Sequence, residues 1–316
     1  MFGNHWWGWW KMKLRFWGVR GSYPVPGSDT VRYGGNTSCV EVRLNDGTLI
    51  ILDAGSGLRE LGKQLMATEF ARGKGQATIL LTHTHWDHIM GFPHFEPARV
   101  AGNRFEIYGR GREGALSLSE LFERQQSSEF CDHSLSEFDA DIDFQEIVEG
   151  DIVAAGSATI SCARLNHPNY ALGYRITADS KSLVYVTDTS PYSDVLIGDH
   201  FIKDVSEVTP EDNSPQKQEM ARLHASLLRL LRKADMVVYD TCFEPEGYNS
   251  RPHWGHSTPE DAMANCRSVG ARRLVLFHHA PENTDSAMDK LKDKYCGNGS
   301  SDLETIMSHE GMELAV

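Results

Sequence analysis

One short stretch constrains this chain more than any other, the string THTHWDH at residues 82–88. It contains four possible metal ligands: His83, His85, Asp87 and His88. The string follows an apolar, β-rich run at residues 77–81, and this order predicts a buried strand that ends in a ligand-bearing loop. Imidazole and carboxylate groups suit zinc, with manganese and iron as alternatives.

The spacing of these ligands allows two metal positions from one loop. Successive side chains of an extended strand point to opposite sides, so His83 and His85 point to the same side. Asp87 and His88 follow after the chain turns and can aim at a second point nearby. The alternative is a polar surface loop that is rich in histidine by chance. The specificity of an HxHxDH string after a buried strand disfavours that alternative.

Three further strand ends carry candidate ligands, namely His167, Asp188 and His278. The ends of parallel or mixed strands face one edge of a sheet, so these side chains can converge there. A histidine before a proline is often only a loop residue, and an aspartate after a strand can cap a helix. A carboxylate shared by two cations offsets their mutual repulsion, which favours a bridging role for Asp188.

The HxHxDH string resembles the metallo-β-lactamase fold hydrolases, and the likeness extends over about residues 14–316. The string LDAG at residues 52–55 resembles the first motif of that fold, in which the aspartate, here Asp53, supports the ligand loop without binding metal. A simple turn residue is the alternative for Asp53. The resemblance implies an α/β (α+β) fold, a four-layer αββα sandwich. We expect it to form a single domain at residues 13–316, after an extension at residues 1–12.

The resemblance also implies how the ligands divide between two divalent ions. His83, His85 and His167 bind one ion, Asp87, His88 and His278 bind the other, and Asp188 bridges them. A water between two such cations loses its proton near neutral pH and can attack as a metal-bridging hydroxide.

Asp87 and His256 are the predicted catalytic residues. His256 belongs to the string GHST at residues 255–258, which is similar to the C-terminal part of ribonuclease Z and its phosphodiesterase relatives. In those enzymes the histidine before Ser-Thr assists phosphate binding or the departure of the leaving group, which needs a proton or a positive charge. A place in a helix-capping loop is the alternative for His256.

The substrate prediction depends on a departure from the ribonuclease Z pattern. That family typically carries a long tRNA-gripping arm between the third ligand motif and the bridging aspartate, whereas about twenty residues separate His167 from Asp188. The formal net charge of −13 also disfavours a long nucleic acid. The strings at residues 18–22 and 33–38 look like those of small bacterial proteins grouped with cyclic-nucleotide phosphodiesterases. We therefore expect hydrolysis of a small phosphodiester, with a 3′,5′-cyclic nucleotide as the first candidate.

Three other functions compete with this interpretation. The first is a ribonuclease Z-like tRNA 3′-processing endonuclease, and the second is a thioester or lactone hydrolase that uses the same metals. The third is a non-catalytic protein that holds metal without turnover, which the full ligand set together with His256 disfavours.

Composition and the chain start give weaker expectations. No apolar run approaches the roughly 20 residues of a membrane span, so we expect a soluble, cytoplasmic protein. The six cysteines are scattered without a CxxC pair, which indicates reduced and mostly buried thiols. Residues 1–10 hold four tryptophans but no signal-peptide pattern. They are either a disordered tail or part of a homodimer interface.

Hydrophobic periodicity and turn residues place the remaining elements. We expect a polar loop near the site at residues 127–143 and an acidic insert at residues 191–214. The predicted helices span residues 58–71, 114–126, 216–233, 259–268 and 285–295.

Overall fold

The computed structural model describes residues 12–111, 116–132, 134–168, 170–194, 215–297 and 302–316. Within these residues the chain forms two seven-stranded sheets. Helices pack on both, including α1 against strands of the first sheet and α4 and α6 against strands of the second. The four layers confirm the predicted αββα sandwich.

The first sheet combines antiparallel and parallel strands. Its strands, in spatial order, are β14 (Glu313–Ala315), β1 (Met12–Gly18), β2 (Cys39–Leu44), β3 (Leu49–Leu52), β4 (Gln76–Leu80), β5 (Arg104–Arg110) and β6 (Asp141–Ile147). Strands β3 to β6 pair in parallel. The carboxyl ends of β3 and β4 therefore meet at one edge, and this brings Asp53 beside the ligand loop.

The second sheet repeats this arrangement. Its strands, in spatial order, are β13 (Glu304–Met307), β12 (Arg273–Phe277), β11 (Met236–Asp240), β10 (Lys181–Val186), β9 (Leu172–Ala178), β8 (Ala158–Arg164) and β7 (Ile152–Ala155). Strands β10 to β13 pair in parallel. Asp188, Asp240 and His278, which follow or end three of them, lie at a common edge.

Strand alternation explains how both faces of the second sheet are filled. On β10, Leu183 and Tyr185 belong to the core between the two sheets. Val184 and Val186, one position along, belong to the core beneath the outer helices. Because side chains alternate along a strand, a run that is apolar at every position indicates a strand buried on both faces.

Seven α-helices lie within the described residues. They are α1 (Gly57–Leu65), α2 (Trp86–Ile89), α3 (Leu118–Gln125), α4 (Pro215–Leu231), α5 (Pro245–Ser250), α6 (Pro259–Ser268) and α7 (Asp285–Tyr295). The predicted bounds of α6 and α7 are confirmed, and those predicted for α4 differ by one or two residues.

Two predicted helices are shorter than expected. The helix predicted at residues 58–71 is interrupted after Leu65, and a separate 3-10 turn spans Glu69–Arg72. Thr68 breaks it, because its backbone is extended (φ −119°, ψ −155°) and its hydroxyl donates to the Leu65 carbonyl. The helix predicted at residues 114–126 begins only after Ser117, which forms a capping box.

The segment at residues 127–143 is not wholly a loop. It contains a 3-10 turn at Leu135–Glu137 and the start of β6. The strand predicted at residues 144–148 is confirmed as β6, but it begins three residues earlier, at Asp141, in the segment expected to be a loop. The pattern search missed the short elements β7, β13, β14, α2 and α5.

Several expectations concern residues that lie outside the described ranges. These are the tryptophan-rich residues 1–10 and most of the acidic insert, residues 195–214. The division into an extension and one domain stays a prediction. All six cysteines are free, and four of them are buried, as predicted. Across the described ranges, no helix combines the length and the apolar character that membrane crossing requires.

Candidate metal centre

Several residues of the site have a backbone conformation that is uncommon for side chains other than glycine. Asp53, Asp188 and His278 have φ angles of 58°, 57° and 60°. Each residue follows a parallel strand at the same edge of the sandwich. A left-handed backbone at a non-glycine residue is strained and persists where surrounding structure fixes it, which is common at functional sites.

One cluster of the site consists of three histidines. The donor atoms of His83, His85 and His167 all lie within 4.8 Å of one another. His167 Nε2 is 3.2 Å from His85 Nδ1, and the ring centroids of His83 and His167 are 4.7 Å apart. The structure therefore brings together the three side chains that sequence analysis grouped.

Hydrogen bonds orient two of these rings. His167 Nδ1 lies 2.9 Å from the carbonyl oxygen of Gly255, and His83 Nδ1 lies 3.1 Å from Thr82 Oγ1. In each ring Nε2 is the remaining nitrogen. The Nε2 atom of His83 is buried and has no hydrogen-bond partner among the described residues. A buried nitrogen of this kind needs another partner, and a metal ion fits it.

The second cluster contains two carboxylates and two histidines. Asp188 Oδ2 lies 3.0 Å from His88 Nε2 and 3.2 Å from His278 Nε2. Asp87 Oδ2 lies 3.2 Å from His88 Nε2 and 3.3 Å from His278 Nε2. A tetrahedral ion with ligands at about 2.0–2.1 Å separates its donor atoms by roughly 3.3–3.4 Å. The observed spacings therefore fit four donors around one ion.

Asp188 faces both clusters. Its Oδ2 atom belongs to the second cluster, while its Oδ1 atom lies 3.9 Å from His83 Nε2. The carboxylate is almost fully buried, with a relative exposure of 2%. Its two oxygens are therefore directed to different groups of donors, which is the arrangement that a bridging ligand requires.

Asp53 supports the loop from beneath, as predicted. Its carboxylate lies 2.8 Å from His88 Nδ1 and accepts hydrogen bonds from the Thr82 backbone N–H and the Tyr185 hydroxyl. It thereby fixes which nitrogen of His88 faces the second cluster. Such outer contacts orient ligands in metal sites.

The electrostatics of the clusters suit cations. Burial lowers the pKa of His83 and His85 and lowers that of His167 to about 3, so these imidazoles are in the neutral form that binds metal. Burial opposes ionisation of Asp87 and Asp188, but the neighbouring histidines outweigh it and hold both carboxyl pKa values well below their usual range. The His/Asp clusters can therefore hold divalent metal ions.

His256 lies beside the second cluster. Its ring centroid is 4.9 Å from that of His278, and its Nδ1 atom lies 3.0 Å from Asp240 Oδ2. Burial favours neutral His256, but Asp240 and Asp188 outweigh it and raise the pKa of His256 to about 9. The helix cap is supplied by another residue, Thr258, whose hydroxyl accepts from the Asp261 N–H.

Comparison with known proteins identifies the family. The beta-lactamase superfamily domain matches residues 48–205 and 219–279, well over half of the chain. The chain belongs to the beta-lactamase superfamily. The matched ranges include the ligand loop, His167, Asp188, His256 and His278.

Two relatives of this chain are named as ribonucleases, which are hydrolases. Ribonuclease BN of Cronobacter sakazakii is 25% identical over 269 residues, which cover 78% of this chain and 84% of that protein. Ribonuclease Z of Myxococcus xanthus is 24% identical over 271 residues, which cover 79% and 84%. The chain is a metal-dependent hydrolase, as predicted.

A solved structure shows the same fold. The metallo-beta-lactamase fold protein YhfI from Bacillus subtilis superposes with a TM-score of 0.63 at 18% identity, and the match covers 97% of this chain and 100% of that one. The αββα architecture is therefore that of the superfamily.

Two residues that contact the predicted site residues, Asp240 and Ser22, were not predicted from the sequence. Asp240 holds His256 and also accepts hydrogen bonds from the N–H groups of Thr189 and Cys242. The Ser22 N–H donates to Asp87 Oδ2 at 2.9 Å. Asp240 follows the signal that marked Asp53 and Asp188, an aspartate at the end of a buried parallel strand. The Ser22 contact uses a backbone group, which side-chain patterns do not reveal.

Proposed function

We propose that this hydrolase is a dinuclear phosphodiesterase that cleaves a small phosphodiester, with a 3′,5′-cyclic nucleotide as the first candidate. The observation that carries this proposal is the position of Asp188, whose two oxygens are directed to two adjacent groups of donors. A shared carboxylate between two cations reduces their repulsion. A paired-metal site suits phosphodiesters because it can hold both the attacking and the leaving oxygens.

We assign the ligands as the two clusters divide them. His83, His85 and His167 would hold one ion, Asp87, His88 and His278 would hold the other, and Asp188 would contact both. We propose zinc as the native metal, because histidine nitrogens and carboxylate oxygens at these spacings suit it. Manganese and iron accept similar donors.

The bound ions would supply a water of lowered pKa and polarise the phosphorus–oxygen bond. Side chains of the protein would act on the attacking water and on the leaving group. Asp87 is anchored through Oδ2, which faces His88, His278 and the Ser22 N–H. We assign to its Oδ1 atom the acceptance of a hydrogen bond that orients the attacking water.

His256 would serve the leaving group. Asp240 holds its Nδ1 atom, so Nε2 is the ring atom that can donate a proton. Burial lowers the pKa of His256 and the Asp240 carboxylate raises it, so Asp240 favours the imidazolium that could donate this proton. Protonation of the leaving alkoxide by such a group typically contributes about 10²–10⁴-fold to the rate.

The connection between His167 and Asp188 supports a small substrate. The described residues of this stretch form a compact hairpin of β9 and β10, which pair antiparallel. No long arm of the kind expected for tRNA binding fits between them, because strand pairing continues to within one residue of the turn at Asp179 and Ser180.

A tRNA 3′-processing endonuclease is the second candidate. The names of the relatives, ribonuclease BN and ribonuclease Z, favour an RNA phosphodiester and speak against the expectation of a small substrate. Both candidates share the chemistry and differ only in what lies on either side of the cleaved bond.

A homodimer through residues 1–10, and a place in the cytoplasm, also stay proposals.

One experiment separates these candidates. Purified protein loaded with zinc or manganese is incubated with bis(p-nitrophenyl) phosphate, with 3′,5′-cyclic AMP and with a pre-tRNA. We expect hydrolysis of the first two and no cleavage of the tRNA. Cleavage of the tRNA without turnover of the cyclic nucleotide would make the endonuclease the better assignment. No hydrolysis of any of the three would refute a phosphodiesterase.

A further inference from the structure

The string GVRGS at residues 18–22, which we call the 18–22 segment, enters the chemistry described above only through the Ser22 N–H. It lies against the half of the metal centre that contains Asp87 and His278. We propose that Gly21 in this segment and Gly255 are positioning residues, each of which supports one imidazole in a different half of the centre. The inference rests on the proposed dinuclear function and adds that the two ion sites can be lost separately.

Arg20 fixes the 18–22 segment to the chain that follows β12. The guanidinium is fully buried and donates to the carbonyl oxygens of Gly34, Ala280 and Asn283, at 2.8, 3.1 and 2.7 Å. The backbone adds two bonds, because the Gly21 N–H donates to the His279 carbonyl and the His279 N–H donates to the Val19 carbonyl. The segment is therefore held in place directly beside His278.

Gly21 packs against the ring of His278. A Cβ atom added at Gly21 would lie 2.5 Å from both Cε1 and Nδ1 of His278, closer than carbon atoms of a real side chain approach. The next residue, Ser22, donates its N–H to Asp87 Oδ2. These contacts of the segment involve two proposed ligands of the same ion, Asp87 and His278. They do not involve the three histidines of the other cluster.

Gly255 has the corresponding position beside the ring of His167. A Cβ atom at Gly255 would lie 2.3 Å from His167 Nδ1, and the Gly255 carbonyl oxygen lies 2.9 Å from the same nitrogen. Its φ angle of +87° is one that other residues rarely adopt. The absence of a side chain therefore lets the backbone both contact and orient the ring.

Ordinary packing is the competing explanation, since many glycines fill tight places. A Cβ atom added at Gly18, three residues before Gly21, would have only backbone atoms of residues 36 and 37 as its three nearest neighbours. At Gly21 and Gly255 the nearest atoms are instead ring atoms of proposed ligands. A methyl group there must move the imidazole, and metal donors tolerate little displacement.

The test compares three variants of the full-length protein. Gly21→Ala should weaken the site of Asp87, His88 and His278, and Gly255→Ala should weaken the site of His83, His85 and His167. We expect each to lower the affinity for one of two ions by roughly 10–100-fold, as outer-contact changes do. Gly247→Ala is the control, because its nearest contact is an ordinary 3.6 Å.

Bound metal is counted by elemental analysis, and the absorption spectrum of the cobalt-loaded protein reports the ligands of each site. We expect one retained ion in each variant, with two different cobalt spectra, and two ions in the control. Two ions with unchanged affinities and spectra in Gly21→Ala and Gly255→Ala, or loss of both ions together, would overturn the inference. Fewer than two ions in the unaltered protein would instead refute the dinuclear function.

A second comparison covers the case in which Gly21→Ala disturbs folding. In a His278→Ala background the added methyl group has no ring to displace. Gly21→Ala should then change neither the metal content nor the thermal midpoint further, because the two changes act through one contact. If Gly21→Ala lowers the metal content or the thermal midpoint as much in the His278→Ala background as in the unaltered protein, Gly21 contributes to folding and does not position His278.

Discussion

At the scale of single residues, three of the proposed ligands are held by a further contact from a residue outside the two clusters. Asp53 holds His88, the Gly255 carbonyl faces His167 and the Ser22 N–H holds Asp87. These contacts come from distant parts of the chain. They fix ring orientation before any ion binds, which lowers the ordering entropy that binding must overcome.

His256 gives the sharpest residue-scale prediction. His256→Ala should keep two bound ions, because its Nδ1 atom is held by Asp240 at 3.0 Å and approaches the nearest oxygen of Asp188 only to 3.6 Å. The rate on a cyclic nucleotide, whose leaving group is an alkoxide, should fall about 10²-fold or more. The rate on bis(p-nitrophenyl) phosphate should fall much less, because p-nitrophenolate departs without a proton.

The measurement is kcat on both substrates together with metal content. Equal losses on the two substrates would contradict the role of proton donor, and loss of metal would place His256 among the ligands instead. Asp261→Ala, which removes the carboxylate that accepts a hydrogen bond from the Thr258 hydroxyl, is the control for a general disturbance of the loop.

The sequence predicted every side chain of the two clusters, because each lies at the end of a recognisable strand or in the HxHxDH loop. It did not predict Asp240, because a position at a strand end does not by itself separate a site residue from a turn residue and no quoted family motif includes Asp240. It could not predict Ser22 or Gly255, because their contribution is a backbone group or the absence of a side chain. Such contributions depend on what the fold places opposite them.

At the scale of elements, one turn connects the two sheets at the edge away from the site. Asp46 lies in the turn between β2 and β3, and its carboxylate accepts from the Thr48 N–H at 2.9 Å and from the Ser157 N–H at 2.7 Å. Ser157 lies in the turn between β7 and β8. Burial opposes ionisation, but these hydrogen bonds outweigh it and lower the pKa of Asp46 to about 2.

This pKa predicts a pH-dependent stability. An ordinary aspartate titrates near 3.9, so the ionised carboxylate stabilises the folded state fully above that pH. Its contribution is lost as the pH falls towards about 2. Asp46→Asn should reduce the free energy of unfolding at pH 7 by about 1 kcal/mol, a small value because the group is largely exposed.

Urea unfolding of both proteins at pH 7 and pH 3 checks this prediction. The difference between them should shrink at pH 3, where the unfolded chain is largely protonated. A difference that stays constant or grows at pH 3 would contradict the proposed role of the charge.

Sequence patterns located the long elements better than the short ones. Helices α6 and α7 have clear boundary residues, a proline and a capping threonine. Strands β7, β13 and β14 have only three or four residues each, too few for a period to be recognised. Their positions depend on pairing with neighbours that are distant in the chain, such as β14 with β1.

At the scale of the whole molecule, the centre exists only where the two sheets meet. The HxHxDH loop comes from the first sheet, whereas His167, Asp188 and His278 follow strands of the second. Metal binding is therefore linked to the packing of the two sheets, and bound ions should stabilise the folded chain by mass action. The order of the strands therefore brings the seven proposed donors together at one edge of the sandwich.

The most direct test of this account follows hydrolysis as metal is added back. Metal-free protein is titrated with zinc or manganese while bound metal and the hydrolysis of bis(p-nitrophenyl) phosphate are measured, with Asp188→Ala as the comparison. We predict two ions per chain, a rate that rises mainly with the second ion, and loss of both metal and activity in the variant. Full activity with one ion, or full metal content and normal activity in Asp188→Ala, would contradict a dinuclear centre bridged by Asp188.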